Sequence, residues 1–247
     1  MKAAKTVIIS CMVISNSRAA VRCGVAFLVW GVSWSAALGQ QAAAPTVRFT
    51  LDFPASNPLH YEVSILANGH GSYSSRTRPE ADSQSSPDPA HEAIELYQTE
   101  FTASPSTAAR IFDLARQAHY FEGTLDSGKN NMAFTGVKTL GYDAPGKSAH
   151  AAYNYSMLPA VRQLTEIFQD LSASLEFGRR LDHDLHYQKL ALEDELKHME
   201  EMVNQGHLQE IFPLAPLLQK IVDDPAIMKV SRSRAQRLLS KATPGRK

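Results

Sequence analysis

Apolar and polar residues alternate strictly over Val47-Arg48-Phe49-Thr50-Leu51-Asp52-Phe53 and again over Tyr61-Glu62-Val63-Ser64-Ile65. A period of two sends alternate side chains to one face, so both segments are expected as half-buried strands. Asn68-Gly69 follows the second, and Ser72-Tyr73-Ser74-Ser75 continues beyond it, which makes a hairpin turned where positive φ is tolerated. The stretch 79–90 is polar and proline-bearing and is expected as an exposed loop. Ile94 to Phe101 is the next expected strand. Ser104-Pro105 then starts a helix, a capping hydroxyl followed by proline in the first turn, that runs to about Ala118. Its residues Ala108, Ile111, Phe112, Ala115 and Ala118 recur at three and four and form the packed face, with Tyr120 and Phe121 closing the core. A glycine-bearing loop leads to a strand over Val137 to Tyr142, a turn at Asp143-Ala144-Pro145-Gly146, a returning strand from Ser148 to Tyr155, and a helix opened by Leu158-Pro159.

From Pro159 the period changes to 3.6. Val161, Leu164, Phe168, Leu171 and Leu175 trace one seam, and Leu185, Leu192, Leu196, Met199 and Val203 resume it. One helix over 159–205 would be roughly 70 Å long at ~1.5 Å per residue, and Gly178 is the expected kink or break. Beyond Gly206, Leu208 to Val222 and Pro225 to Ala242 are expected as two shorter helices parted by Asp223-Asp224. Leu208, Ile211, Phe212, Leu214, Leu217, Leu218, Ile221 and Val222 are too many apolar residues for a solvated helix. They call for burial against the long helix or a second copy of the chain. The fold class is therefore α+β: an antiparallel sheet of hairpins with packed helices, then a long helix and a helical C-terminal region. The expected division is a leader over 1–39, an α+β domain over 40–178, and a helical region over 179–247 that can form a coiled coil.

The order of Tyr61-x-Val63-x-Ile65-x-x-Asn68-Gly69, a strand ending at Phe101, a capped helix ending in Tyr120-Phe121, Thr139-Leu140, a turn, Tyr153-Asn154 and a helix from Pro159 resembles a family of small exported bacterial domains of unknown function. The resemblance covers about 46–175. It implies one α+β unit of hairpin, helix, hairpin and helix, and implies no activity. The insertion at 79–90 and the lack of the cysteine pair carried by some relatives depart from that pattern.

Charge and composition add an address. Residues 1–39 hold Lys2, Lys5, Arg18 and Arg22 and no acid, and Gly24 to Leu38 is an apolar run of 15 residues, shorter than the ~20 needed to cross a bilayer. Ala37-Leu38-Gly39 places small residues before a cut at Gln40, so an exported, periplasmic or secreted protein is expected, anchored if the leader stays. Met12 is an alternative start. Cys11 and Cys23 both fall in the leader, which excludes disulfides and thiolate metal sites from residues 40–247. The neutral chain then becomes acidic, with net charge minus 4 over 40–247, while the last nineteen residues carry seven basic residues and no acid. Export argues against nucleic acid as the partner of that tail. Contact with an anionic membrane surface is the lesser expectation. The main one is that Arg232, Arg234 and Arg237 form the solvated face of a last helix whose apolar face holds Ile227, Val230, Leu238 and Leu239.

Candidate chemistry is sparse. Asp182-His183-Asp184-Leu185-His186 with Glu195 and His198 is the one cluster with metal-ligand spacing, and His183, His186, Glu195 and His198 could hold zinc with a water. Gly69-His70-Gly71-Ser72 lacks the lysine and helix of a phosphate loop and is expected as a turn. No G-x-S-x-G or serine-lysine signature is present, and Glu122, Asp126 and Asp143 are acids without an orienting pattern. These residues imply no cofactor. The leading expectation is a non-enzymatic binding or structural protein of the cell envelope, partnered by an envelope protein or by itself through the helical C-terminal region. The alternative is a metal-dependent envelope enzyme at the histidine cluster.

Overall fold

The computed structural model describes residues 44–78, 94–129 and 131–243; the expected leader over 1–39, the loop expected at 79–90 and residues 244–247 lie outside them. Strand β1 (Thr46–Asp52) buries Val47, Phe49 and Leu51 and turns Arg48 and Asp52 outward, and β2 (His60–Leu66) buries Tyr61, Val63 and Ile65. Both follow the period of two. Their partners are β3 (His70–Thr77), β4 (Glu95–Thr102), β5 (Val137–Ala144) and β6 (Lys147–Tyr153). All six pair antiparallel in the order β4-β3-β2-β1-β5-β6, with Phe49 facing Val63 on one side and Leu140 on the other. The buried face is covered by α1 (Pro105–Gln117) and by the first half of α2 (Pro159–Tyr187), where Phe168 stacks on Phe49 at 5.3 Å. Gly71 is required where it stands, because a Cβ there would meet the Phe101 ring and the Ser64 carbonyl oxygen at 2.6 Å.

Helix α1 starts where Ser104 and Pro105 place it, with Ser104 Oγ accepting from Thr107 N. It ends in an unusual turn. His119, Tyr120 and Phe121 all take left-handed φ, at 51°, 55° and 68°, and none is glycine. Each residue held there costs on the order of 1 kcal/mol. Phe121 offsets this by burying its ring in the core, and Tyr120 stacks on Tyr142 at 4.5 Å with the Lys147 ammonium 4.2 Å above it.

Lysine 138 departs from the alternation. Val137 is exposed, whereas Lys138 points to the helix-covered face and is buried. Its ammonium donates to Thr135 Oγ1 at 2.8 Å and to the Asn154 carbonyl at 3.0 Å, and burial pushes its pKa down. Asn154 in turn accepts from Thr135 N, donates to the Ala133 carbonyl, and gives its own N–H to Asp126. The loop before β5 is held by this polar knot.

Helix α2 runs straight through Gly178, which corrects the break expected there. A Cβ on Gly178 would lie 2.7 Å from Leu214 Cδ2, so the glycine admits a close neighbour. The break comes later, at 188–191, before α3 (Leu192–Asn204), whose first turn carries Glu193, Asp194 and Glu195 against the positive end of the helix dipole. The chain turns there because Leu181 and Leu192 both enter a second core, completed by α4 (Ala215–Asp223) and α5 (Lys229–Ala242). Leu208, Ile211, Leu214, Leu218 and Ile221 are buried in that core within the same chain. The two cores meet in α2 between Leu175 and Phe177, and Gln41–Lys247 cluster as one unit. The expected boundary at 178 falls inside a continuous helix. Among the described residues no helix is long and apolar enough to cross a membrane.

The last helix corrects a second expectation, that its arginines are merely solvated. Arg234 reaches Glu193 at 2.8 Å and Glu200 at 2.5 Å, and Arg237 grips Glu200 through Nε at 2.6 Å and a second nitrogen at 3.0 Å. Val230, placed on the apolar face, is half exposed, while Ile227 and Leu238 are buried. The two guanidiniums pull the Glu200 carboxyl down to about 2. Because the folded value lies below the unfolded one, this stabilisation is present above about pH 4.5 and fades as pH falls toward 2. Glu200→Gln is therefore expected to lose about 1–2 kcal/mol at pH 7 and to flatten the acid limb of the stability curve, measured by urea denaturation from pH 2.5 to 7. His119→Gly relieves one left-handed residue at an exposed site and is expected to gain about 0.5–1 kcal/mol in the same assay.

Candidate functional site

Between one end of the sheet and the helical C-terminal region lies a groove of about 1890 Å³. Strand ends supply Ser64, Leu66, His70, Ser72, Glu100 and Thr102, α1 supplies its first turn, and the segment around Phe212 with α4 and α5 supplies the opposite wall. Small-molecule pockets are ~300–1,000 Å³, so this groove suits a larger or extended occupant. Its walls mix hydroxyls and amides, among them Gln219, Gln236 and Ser240, with apolar Phe101, Phe212 and Leu239. The Thr102 hydroxyl stands 3.3 Å from His70 Nδ1. Both groups are exposed, and among the described residues no third group orients the imidazole as a hydroxyl nucleophile would need. The hairpin expected at Asn68-Gly69 is present, with Asn68 Oδ1 accepting from His70 N, but its turn lies at 67–69 and His70, Gly71 and Ser72, read as turn residues, stand in β3, where Gly71 and Ser72 are paired on both sides.

One wall is a short strap, Gln209-Glu210. The Glu210 carboxylate takes Ser104 Oγ at 3.3 Å, the Ser104 N–H at 3.4 Å and the Thr107 hydroxyl, so it caps the N-terminus of α1 from far along the chain. Its carbonyl accepts from buried Ser174 Oγ at 2.7 Å. Asp170 on α2 lies near the Gln209 N–H and carries no ion pair among the described residues. Burial pushes its carboxyl up to about 6, opposed by that N–H and reinforced by Glu166 and Glu210. No periodicity marks Asp170 or Glu210 as special, since each gains its meaning from residues distant in sequence.

Beneath the sheet a second polar centre fixes α2. Glu176 is 5 % exposed. Its Oε1 accepts from Tyr73 at 2.9 Å and Ser75 at 2.6 Å, and its Oε2 from Arg179 Nε at 2.9 Å. Tyr73 also meets Ser172 at 2.9 Å. Burial first, then the Glu176 charge, raises the Tyr73 phenol far above its ordinary value, so it remains a proton donor to the carboxylate. Arg179 continues outward to Glu95 at 3.4 Å.

The residues with metal-ligand spacing are placed as follows. His183 is more than half exposed and lies 3.3 Å from Asp184, while His186 bonds the Asp182 carbonyl at 2.6 Å. Both flank the exposed Tyr187 ring. Glu195 is engaged by Arg180 at 2.6 Å, across the α2–α3 turn, and His198 sits edge-on to Phe177 at 5.3 Å. The helix break at 188–191 separates the pair on α2 from the pair on α3. Among the described residues no three His, Cys, Asp or Glu side chains gather closely enough to hold a metal. The remaining acids are separately engaged, Glu122 by Lys147, Asp126 by the Gly128 and Asn154 N–H groups, and Asp143, which stands in β5 and not in a loop, by Ser148.

The described residues form an α+β protein built on a six-stranded antiparallel sheet with five helices. No family model matches it, and a search of curated proteins finds no match. Its chemistry must be tested on its own residues. Tyr73→Phe removes one donor from a buried carboxylate and is expected to cost about 1–2 kcal/mol, and Glu176→Ala about 3 kcal/mol, by urea denaturation at pH 7. A neutral result for both would mean that this centre does not hold α2 to the sheet.

Proposed function

We propose that the protein works outside the cytoplasm as a non-enzymatic binding protein of the cell envelope, with the groove receiving an envelope partner. The observation that carries this reading is the groove itself, a large surface lined by hydroxyls, amides and apolar side chains. Such walls suit recognition by hydrogen bonding and burial. The basic leader followed by an apolar run supplies the address. The apolar residues of 208–222 that called for a partner are largely covered within the chain, which supports the groove over α4 as the surface for one.

Because Cys11 and Cys23 are the only cysteines and both precede Gln40, the chain from Gln40 accepts a single thiol-linked photocrosslinker at a chosen site. Labels at Gln219→Cys and Gln236→Cys are expected to capture one discrete envelope species, whereas a label at Arg116→Cys, exposed on α1 away from the groove, captures none. Equal capture at all three sites, or none at either groove site, would refute the groove as the binding surface.

A further inference from the structure

Strand β4 closes one side of the sheet, pairing with β3 and with no other described strand. One bond fixes its polarity. Ala103 N donates to the Gly69 carbonyl at 2.9 Å and extends the register in which His70 faces Thr102. Antiparallel pairs alternate between those that exchange backbone hydrogen bonds and those that do not. Phe101, Thr99, Tyr97 and Glu95 therefore bond inward to β3, whereas Thr102, Glu100, Gln98 and Leu96 turn their N–H and C=O groups to the outer side. Among the described residues these outward groups meet a single partner, the Thr99 hydroxyl at 3.2 Å from the Glu100 carbonyl. The strand has no proline, lysine or bulge to blunt this edge, and Leu96 on it is 76 % exposed. The groove also continues along β4, because Ser72 and Glu100 line both the groove and a shallower depression with Glu62, Ser74 and Gln98. We infer that the partner received by the groove is an extended peptide segment that adds to β4 as a further antiparallel strand.

Side chains set the chemistry of that segment. Leu96 and Glu100 stand four positions apart on the uncovered face of the sheet, with Gln98 between them. Residues directly opposite on an added strand meet them, so an apolar residue suits Leu96 and a lysine or arginine suits Glu100. Glu95 is engaged by Arg179 at 3.4 Å, whereas Glu100 has no ion pair among the described residues. A second copy of β4 fits the same edge poorly. It brings Glu95 and Glu100 from each strand to one seam, and β4 has no cation to balance them. Strand addition rests on the groove being the binding surface, and a defined peptide keeps its test separate from the capture of an envelope species.

The probe is a fluorescein-labelled peptide, Thr-Lys-Thr-Ser-Thr-Val-Thr, whose lysine and valine face Glu100 and Leu96 when it runs antiparallel to β4. Fluorescence anisotropy with the full chain is expected to show saturable binding. Methylating the lysine amide, which points at β4, should weaken it ~10-fold, whereas methylating the amide of the next threonine, which points away, should change it less than about twofold. Glutamate in place of the lysine should weaken it ~5-fold. Gln98→Pro removes one outward N–H without touching the ladder to β3, so it should keep a cooperative urea transition and lose binding ~10-fold, while Gln98→Thr binds as wild type. A probe that does not bind the wild-type chain would overturn strand addition. So would two methylated probes that bind alike, or a folded Gln98→Pro chain that binds like Gln98→Thr. Light scattering that shows a wild-type dimer made monomeric by Gln98→Pro would overturn it too, by making a second copy the occupant. Probe binding without capture at Gln219→Cys or Gln236→Cys would sink the envelope partner and leave strand addition standing; capture without probe binding would do the reverse.

Discussion

A carboxylate sunk between a helix and a sheet is destabilising by several kcal/mol unless its oxygens are filled, and Glu176 fills both of them. Two hydroxyls rise to it from β3 and one guanidinium from its own helix. This demand sets the rotation of α2 about its axis. Once Glu176 faces Tyr73 and Ser75, Leu171 and Leu175 lie on the sheet core, and Phe177 and Leu181 look into the second core. Hydrophobic burial alone would tolerate a small rotation of α2, because apolar contacts are not directional. The buried acid removes that freedom, and the helical C-terminal region inherits its position from it.

The groove is a by-product of the same geometry. A helix that carries two cores must project beyond the sheet, and the helices gathered on its far half leave a space between themselves and the strand ends. That space is bordered by the short strap Gln209-Glu210, whose carboxylate sits on the N-terminus of α1 and whose carbonyl is held by buried Ser174. Leu208 and Ile211 on either side are buried, so apolar burial and a polar cap anchor adjacent residues of one segment.

Most of the fold was legible because most of it obeys local rules. Periods of two placed β1 and β2, Ser104-Pro105 placed the start of α1, and Pro159 the start of α2. Legibility fails where a residue answers to something distant. Lys138 reads as an outward strand position, yet its ammonium is taken inward by two carbonyls and a hydroxyl from 135 and 154. Gly178 reads as a helix breaker, yet its meaning is the approach of Leu214, 36 positions later. The break itself had a local signal in the run Glu193, Asp194, Glu195, which favours a helix start, but a continuous apolar seam across 185–203 outweighed it. Of the candidate site, the Asn68-Gly69 turn that leads into His70 was visible, whereas His70 and Ser72, read as turn residues, stand in β3. Asp170 and Glu210 were not visible, because nothing in a sequence pattern joins residue 104 to residue 210.

The division of charge along the chain is the clearest case of a pattern whose meaning changes when it folds. An acidic body with a basic tail suggests, on composition, a tail free to seek an anionic surface. Folding brings Glu193 and Glu200 on α3 against Arg234 and Arg237 on α5, in a ladder where each arginine is shared or doubly bonded. Fork-shaped guanidiniums suit this arrangement better than lysines, because two parallel hydrogen bonds fix direction as well as distance. The ladder lies at the rim of the second core, where side-chain exposure of 13 % to 22 % at Glu200, Arg234 and Glu193 leaves it less screened than a surface pair. It therefore does for α5 what Glu176 does for α2. A short helix with buried Ala235, Leu238 and Ala242 has too little apolar area to define its own rotation, and ion pairs of fixed geometry define it instead.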